Sequence, residues 1–381
     1  MTGASIVLTA GGTGGHLFPA HALAGELIRR GYELDLITDS RTTYLGEGFP
    51  GRAVHKVPSA TFQGKSPLEA IKMVATNSNG FKMAYDIMGD LKPKAMIGFG
   101  GYPTIPPMLA ALARGIPSLI QEQNSVMGRA NRFLAPMVKA IALSFEDTKF
   151  LEGKLAEKAY VTGTPLREQV LELRGGVYQP AQPGQPLNLL IFGGSQGARF
   201  FSDIMPVALQ LLPQDLRDRL MVVQQCRAED IDRVFDSYEV AGVAAELATF
   251  FNDLPYRMAG AHLVVCRSGA TTMAELSALG RPAVLVPLPN SVDNDQLENA
   301  TRFEKAGAGW CFEQSIMTAE RLAGTLRRLF EEPATLARAA SRSKSLARFD
   351  SVARLADLVV TLAEAPETFS AQNREAEGHA G

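Results

Sequence analysis

The stretch SIVLTAGGTGGH (residues 5–16) runs an apolar, β-branched segment straight into a turn of four glycines, and LNLLIFGGSQGA (187–198) repeats that design in the second half of the chain. Glycines at the end of a strand let backbone N–H groups approach an anion, and a helix opening just beyond adds partial positive charge. A diphosphate suits such a loop. Working outward, short strand-like runs recur at 33–38, 95–100, 117–122 and 140–145, then at 220–225, 262–267, 283–288 and 309–313. Helical stretches lie between them, among them 21–30 and 107–114, the latter closed by Gly115. Strand and helix in alternation predict an α/β fold: two Rossmann-like, doubly wound parallel sheets, with ligands outside the carboxyl ends of the strands and a cleft where the two domains face each other.

Length and composition agree with this expectation. A chain of 381 residues is two to three times the ~150 that serve as a prior for one domain, and 46% hydrophobic residues can fill two cores. The Gly/Pro-rich run RGGVYQPAQPGQP (174–186) is unsuited to an element interior and marks the boundary. The expected organisation is a first domain over 1–170, a linker over 171–186, a second domain over 187–345, a C-terminal helix within 346–365 and a disordered tail over 366–381. Lys plus Arg number 38 against 40 Asp plus Glu, so the basic excess of a nucleic-acid-binding protein is missing. Cys226, Cys266 and Cys311 stand far apart, and His16, His21, His55, His262 and His379 show no zinc-type spacing. The start MTGASIVLTAGG lacks a signal-peptide pattern, and no run reaches ~18 apolar residues, so a cytoplasmic chain without a membrane span is expected.

The first loop invites a dinucleotide-binding reading, because Asp39 stands near the end of the second strand where a ribose-binding acid belongs. Leu17 occupies the position of the third glycine and argues against it. Two further glycine turns, Phe99–Pro103 and Gly193–Gly197, also follow strands. In the second half, Arg267-Ser268-Gly269-Ala270-Thr271-Thr272 ends a strand and opens a helix whose first N–H groups and hydroxyls suit another diphosphate. Glu275 lies one turn in, placed to accept from a ribose diol.

Together the segments GGTGGHLFPA (11–20), GFGGYPTIPP (98–107), QEQN (121–124), GTPLR (163–167), GGSQGA (193–198), RSGATTMAEL (267–276) and DNDQLENA (293–300) resemble the signatures of the MurG family, in consistent order from about residue 5 to 360. The resemblance implies a two-domain fold of the glycosyltransferase-B type. It also implies an inverting N-acetylglucosaminyltransferase of peptidoglycan synthesis, acting from UDP-N-acetylglucosamine on the 4-hydroxyl of undecaprenyl-diphosphate-linked muramyl-pentapeptide. The second domain would hold the nucleotide sugar and the first the lipid diphosphate, in a loop including Thr13, Gly14 and Gly15. No cofactor and no metal are implied.

Such chemistry needs a base, a stabiliser for departing UDP and a grip on the sugar. His16 is the first candidate base, with a loop-orienting or phosphate role as its alternative, and Glu122 is the competing carboxylate. Ser195, the N–H groups of Ala270, Thr271 and Thr272, and the Arg167 fork would meet leaving-group charge. By resemblance Phe251 matches a position whose backbone reads uracil, its side chain belonging to the core. Gln296 and Asn299 match positions that hold the sugar hydroxyls, and Asn124 matches a residue at the sugar. Asp295 and Gln121 depart from the amide and the histidine of the family pattern. Asp293-Asn294-Asp295 spells a metal-binding Asp-x-Asp, but its place before a helix suits capping.

A lipid-linked acceptor implies peripheral attachment to an anionic membrane, on its cytoplasmic face, and other cell-wall synthesis proteins as further partners. Residues 1–160 carry 17 Lys/Arg against 13 Asp/Glu, and the remainder 21 against 27. Within the basic half, Ile71, Met73, Val74, Phe81, Met83, Tyr85, Ile87 and Met88 alternate with Lys65, Lys72 and Lys82, as an interfacial patch or as core. A soluble-acceptor transferase, a UDP-sugar epimerase and a non-catalytic scaffold are the competing readings.

Overall fold

A computed structural model of the chain describes residues 3–40, 48–61, 66–194 and 197–369. Contacts divide the chain into two compact units, Met1–Arg167 with Asp350–Gly381, and Glu168–Phe349. In the first, the strands are β1 (Ser5–Thr9), β2 (Glu33–Thr38), β3 (Ala53–Lys56), β4 (Ala95–Gly98), β5 (Ser118–Glu122), β6 (Ala140–Leu143) and β7 (Ala159–Val161). They form one parallel sheet in the order β3-β2-β1-β4-β5-β6-β7. The second unit holds β8 (Leu187–Phe192), β9 (Leu220–Gln225), β10 (Ala244–Ala248), β11 (Leu263–Cys266), β12 (Ala283–Leu285) and β13 (Gly309–Cys311). These are also parallel, in the order β10-β9-β8-β11-β12-β13. Both orders reverse beside the first strand, so the crossovers from β1 and β4, and from β8 and β11, leave toward opposite faces and open a crevice at the carboxyl ends.

Helices on both faces explain why the inner strands are almost wholly apolar. Ile6 and Leu8 of β1 join one core with Leu17, Leu23 and Leu27 of the helix Gly14–Arg29, while Val7 points to the other with Met88 and Met108. The helix Ser351–Glu364 returns to the first unit: Leu355, Ala356, Val359 and Leu362 enter its core, and Asp357 pairs with Arg30 at 2.6 Å.

Several details differ from the sequence reading. The first helix starts at Gly14, seven residues before 21, because Thr13 is extended and the glycines that follow adopt helical backbone. The helix expected at 107–114 spans Ile105–Ala113, with prolines in its first turn where no N–H partner is lost. Edge strands β3, β7 and β10 went unread, being short and lacking a β-branched run. The break between units falls at Arg167/Glu168, ahead of the Gly/Pro-rich run. That run is fastened to the second unit by Tyr178 donating to the His262 carbonyl (3.0 Å) and Arg219 donating to that of Gln185 (2.8 Å). The tail begins ordered, since Phe369 is buried against Tyr160; 370–381 lie outside the described residues.

The long helix Pro67–Leu91 is divided in its environment. Its first half leaves Leu68, Ile71 and Val74 exposed, whereas Met88 is core and Phe81, Tyr85 and Ile87 pack against it, so those four leave the interfacial patch; Lys65 lies outside the described residues. Gly80 makes the close approach possible, for a Cβ there would meet the Pro58 carbonyl oxygen at 2.0 Å. Gly80→Ala is therefore expected to destabilise the chain by about 1–3 kcal/mol, overpacking outweighing the helix-propensity gain of about 1 kcal/mol. Urea unfolding checks this, and an unchanged or higher midpoint would contradict it.

Candidate functional site

In the first unit, the loops after β1 and β4 touch at the crevice: the Gly11 N–H donates to the Gly100 carbonyl at 3.1 Å. A Cβ on Gly11 would stand 3.3 Å from that oxygen and 3.4 Å from His16 Nδ1, and Gly100 and Gly101 have φ of +89° and +79°. Only glycine lets these two loops close around the imidazole. Thr13 holds the cap position of the helix, but its hydroxyl turns to His16 Nδ1 at 2.9 Å. With Nδ1 as the donor to that hydroxyl, Nε2 keeps a lone pair for a ligand proton. Burial lowers the His16 pKa to about 4, so the ring is neutral at pH 7. Gly14 and Gly15 form the first helical turn beside it, and the Arg167 guanidinium lies over the Phe18 ring, 4.4 Å from its centroid. Arg167 thus stands in the first unit, beside the helix Gly14–Arg29.

Glu122 ends β5 and is 1% exposed. Its Oε1 accepts from the Asn124 N–H (2.9 Å) and the Asn124 amide (3.3 Å), and its Oε2 from the Gly128 N–H (2.9 Å) and the Asn131 amide (2.8 Å). Burial raises its pKa while these donors oppose the rise. A carboxylate offers about four acceptor positions, and all are engaged. These four bonds fasten residues 124, 128 and 131 to the end of β5. Gln121 lies beneath, accepting from Gln123 at 2.5 Å, and Gln123 in turn donates to the Phe99 carbonyl at 2.8 Å.

In the second unit, the turn after β11 opens the helix Ala270–Leu279 on Gly269, which brings no side-chain acceptor to the first-turn N–H groups of Ala270, Thr271 and Thr272. Behind it Arg267 is buried, donating to the Val286 and Pro287 carbonyls (2.9 and 3.0 Å) and to Gln314 (2.7 Å), with its guanidinium over the Phe200 and Phe201 rings. Burial lowers its pKa to about 10. Ser268 donates to the Gln296 carbonyl at 2.7 Å and accepts from Asn299 at 3.1 Å through its own carbonyl. Asn299 is buried there. Gln296 Oε1 accepts from the Leu288 N–H at 3.0 Å. Glu275 is buried in the second turn of the same helix.

Phe251 is buried beneath Arg257, whose guanidinium lies 4.3 Å from the ring centroid. Asp295 Oδ1 accepts from the Gln296 N–H at 2.7 Å at the start of the helix Asp295–Lys305, and burial raises its pKa. Among the described residues no three His, Cys, Asp or Glu side chains gather as a metal group. Ser195 lies outside the described residues; Gly194 and Gly197 have φ of +90° and +66°. Asn131 and Arg267 escaped the sequence reading as functional residues. A cation closing the apolar run LVVCR was the available signal for Arg267; Asn131 gave none.

Comparison with known proteins adds independent findings. Residues 6–143 match the glycosyltransferase family 28 N-terminal domain, and residues 188–356 its C-terminal domain. A relative from Chelativorans sp. (strain BNC1), named UDP-N-acetylglucosamine–N-acetylmuramyl-(pentapeptide) pyrophosphoryl-undecaprenol N-acetylglucosamine transferase, is 47% identical over 363 residues, covering 95% of this chain and 96% of its own. The Allorhizobium ampelinum protein of the same name is 48% identical over 364 residues, 96% of this chain and 97% of its own. The crystal structure of Acinetobacter baumannii MurG superposes with a TM-score of 0.72 at 29% identity, covering 94% of this chain and 99% of that one.

His16 and His21 give a pH test of the buried geometry. His21 Nε2 is buried without a partner among the described residues, its ring is edge-on to Phe49, and burial lowers its pKa to about 4. Both rings bind protons near 6.5 in the unfolded chain and near 4 in the folded one, so stability falls as pH drops through that window. His21→Leu is expected to lessen the fall in urea midpoint between pH 6.5 and 4. An equal fall in the variant, or an NMR titration of His16 near 6.5, would contradict the burial.

Proposed function

The chain belongs to the MurG family within glycosyltransferase family 28, and on that premise we propose how its two units divide one inverting transfer. The reaction moves N-acetylglucosamine from UDP-N-acetylglucosamine to the 4-hydroxyl of the lipid-linked muramyl-pentapeptide, forming the C1–O4 bond as the C1–O bond to UDP breaks on the opposite face. UDP departs carrying the bonding electron pair. Its diphosphate charge is met by the first-turn amides of Ala270, Thr271 and Thr272 at a helix N-terminus. Glu275 accepts from the ribose diol, and the Gln296 amide donates to a sugar hydroxyl, its direction set by the Leu288 N–H. Arg267 holds the turn from behind and touches no ligand.

The acceptor diphosphate takes the glycine loops of the first unit, with Arg167 beside them. His16 Nε2 removes the proton of the attacking hydroxyl. The observation that carries this assignment is the neutral imidazole held by Thr13 between the loops of Gly11 and Gly100–Gly101. A positioned base contributes about 10²–10⁴-fold. No step calls on a metal.

The exposed apolar face at the start of the helix Pro67–Leu91 supports membrane contact. Leu68 (60% exposed), Ile71 (65%) and Val74 (58%) stand there with Lys72, and no helix among the described residues is long and apolar enough to cross a bilayer. Such a patch supports peripheral, reversible attachment to an anionic surface, on the cytoplasmic face where UDP-sugars are supplied.

Purified protein given the donor and vesicle-bound acceptor is expected to release UDP only when both are present, and to do so in EDTA. His16→Ala should lower kcat by about 10²–10⁴-fold with donor KM kept. Glu275→Ala should chiefly weaken donor binding, by roughly 10- to 100-fold for a lost bond to a charged group. Unchanged turnover in the first variant would remove His16 as base, and EDTA-abolished activity restored by Mn²⁺ would place a metal at Asp293–Asp295.

A further inference from the structure

Four N–H donors converge on one buried carboxylate at the end of β5, and what they fix lies on the route to His16. Glu122 binds the backbone of Asn124 and Gly128 and the amides of Asn124 and Asn131, so residues 124–131 are gathered around a single side chain. Asn131 Nδ2 also reaches the Gln121 carbonyl at 3.2 Å, while its Oδ1 is buried without a partner among the described residues. Above it lies Gly100, where a Cβ would come within 3.3 Å of Asn131 Nδ2 and 3.5 Å of His16 Cδ2. The Asn131 amide is thus the floor under Gly100, and Gly100 the floor under the imidazole. Among the described residues Glu122 is paired with no cation, so its charge is compensated by these donors alone.

We propose that Glu122 is a positioning residue for the transfer: touching no reactant, its carboxylate holds residues 124–131 in the one arrangement that aims the Asn124 amide and seats the Gly100–His16 contact. The proposal rests on the transferase reading and deepens it by separating the two acidic and basic candidates at this site. A carboxylate is required because only it accepts at both oxygens. A glutamine presents one acceptor oxygen and sets its own N–H₂ against the Gly128 N–H or the Asn124 N–H. Misplacement of a reacting group by about 1 Å is enough to cost about 10²-fold in rate.

Steady-state kinetics on vesicle-bound acceptor, with the full chain, test this in Glu122→Gln, Asn131→Asp and the double variant. The first is expected to lower kcat about 10- to 100-fold, leave donor KM within about twofold, and keep the wild-type shape of the kcat/KM pH profile. Asn131→Asp sets two carboxylates together and should show the same split. The double variant swaps donor and acceptor across the pair and should recover part of the loss, a coupling independent unrelated defects would not show. Wild-type turnover in Glu122→Gln, or a double variant whose losses simply multiply, would overturn the proposal. So would a variant rescued by azide or formate with an altered pH profile, which would make Glu122 the base. Loss of cooperative unfolding in all three variants would make Glu122 a folding residue and equally overturn it. Failure of the wild-type chain to release UDP with both substrates would instead strike the transferase reading itself.

Discussion

Each sheet is parallel and reverses its strand order once, and the proposed site loops all depend on that reversal. Where neighbouring crossovers leave toward opposite faces, the carboxyl ends of two strands stand beside an uncovered crevice, and helices open there with their N–H ends outward. In the first unit the crevice lies between β1 and β4, in the second between β8 and β11. All four of these strands are followed in sequence by glycine- or serine-glycine-bearing segments, at 11–15, 100–101, 193–197 and 268–269. A side chain on Gly11 would press against the neighbouring loop, and Gly100, Gly101, Gly194 and Gly197 hold backbone angles that glycine adopts without strain.

The loops are not left to their own conformational freedom. Among the described residues, Glu122 in the first unit and Arg267 in the second are buried behind their turns with no ion-pair partner and are compensated by backbone and amide dipoles. Glu122 collects N–H donors from residues 124–131; Arg267 donates to carbonyls at 286 and 287 and to Gln314. A buried charge stripped of such partners costs several kcal/mol, so the loops are held in the arrangement that satisfies it. Rigidity of this kind is what a site needs if it is to be complementary to a developing charge before the charge appears.

The fold was legible because its signals are local and repeated. Apolar strand runs identify the inner strands, and the order of motif segments identifies the family. Edge strands β3, β7 and β10 carried no such signal, since a strand with one open side need not be apolar throughout. At the site, the residue types were legible and the bonding was not. Glu122 reads as a candidate base and Asn299 as a sugar contact, because sequence shows a carboxylate and an amide in signature segments but not that the carboxylate accepts from Asn131 or that the Asn299 amide donates to the Ser268 carbonyl. Asn131 could not be read at all. Its partner is nine residues earlier on a strand, a separation that belongs to no helical or sheet period and becomes a contact only when the loop folds back over β5.

In the proposed transfer the second unit grips the nucleotide and the first grips the acceptor. A crystal structure with UDP-N-acetylglucosamine bound examines this most directly. Diphosphate density against the Ala270–Thr272 amides, with the ribose on Glu275, is the outcome the account predicts. Diphosphate density against Thr13–His16, with the Ser268–Glu275 turn empty, would contradict it.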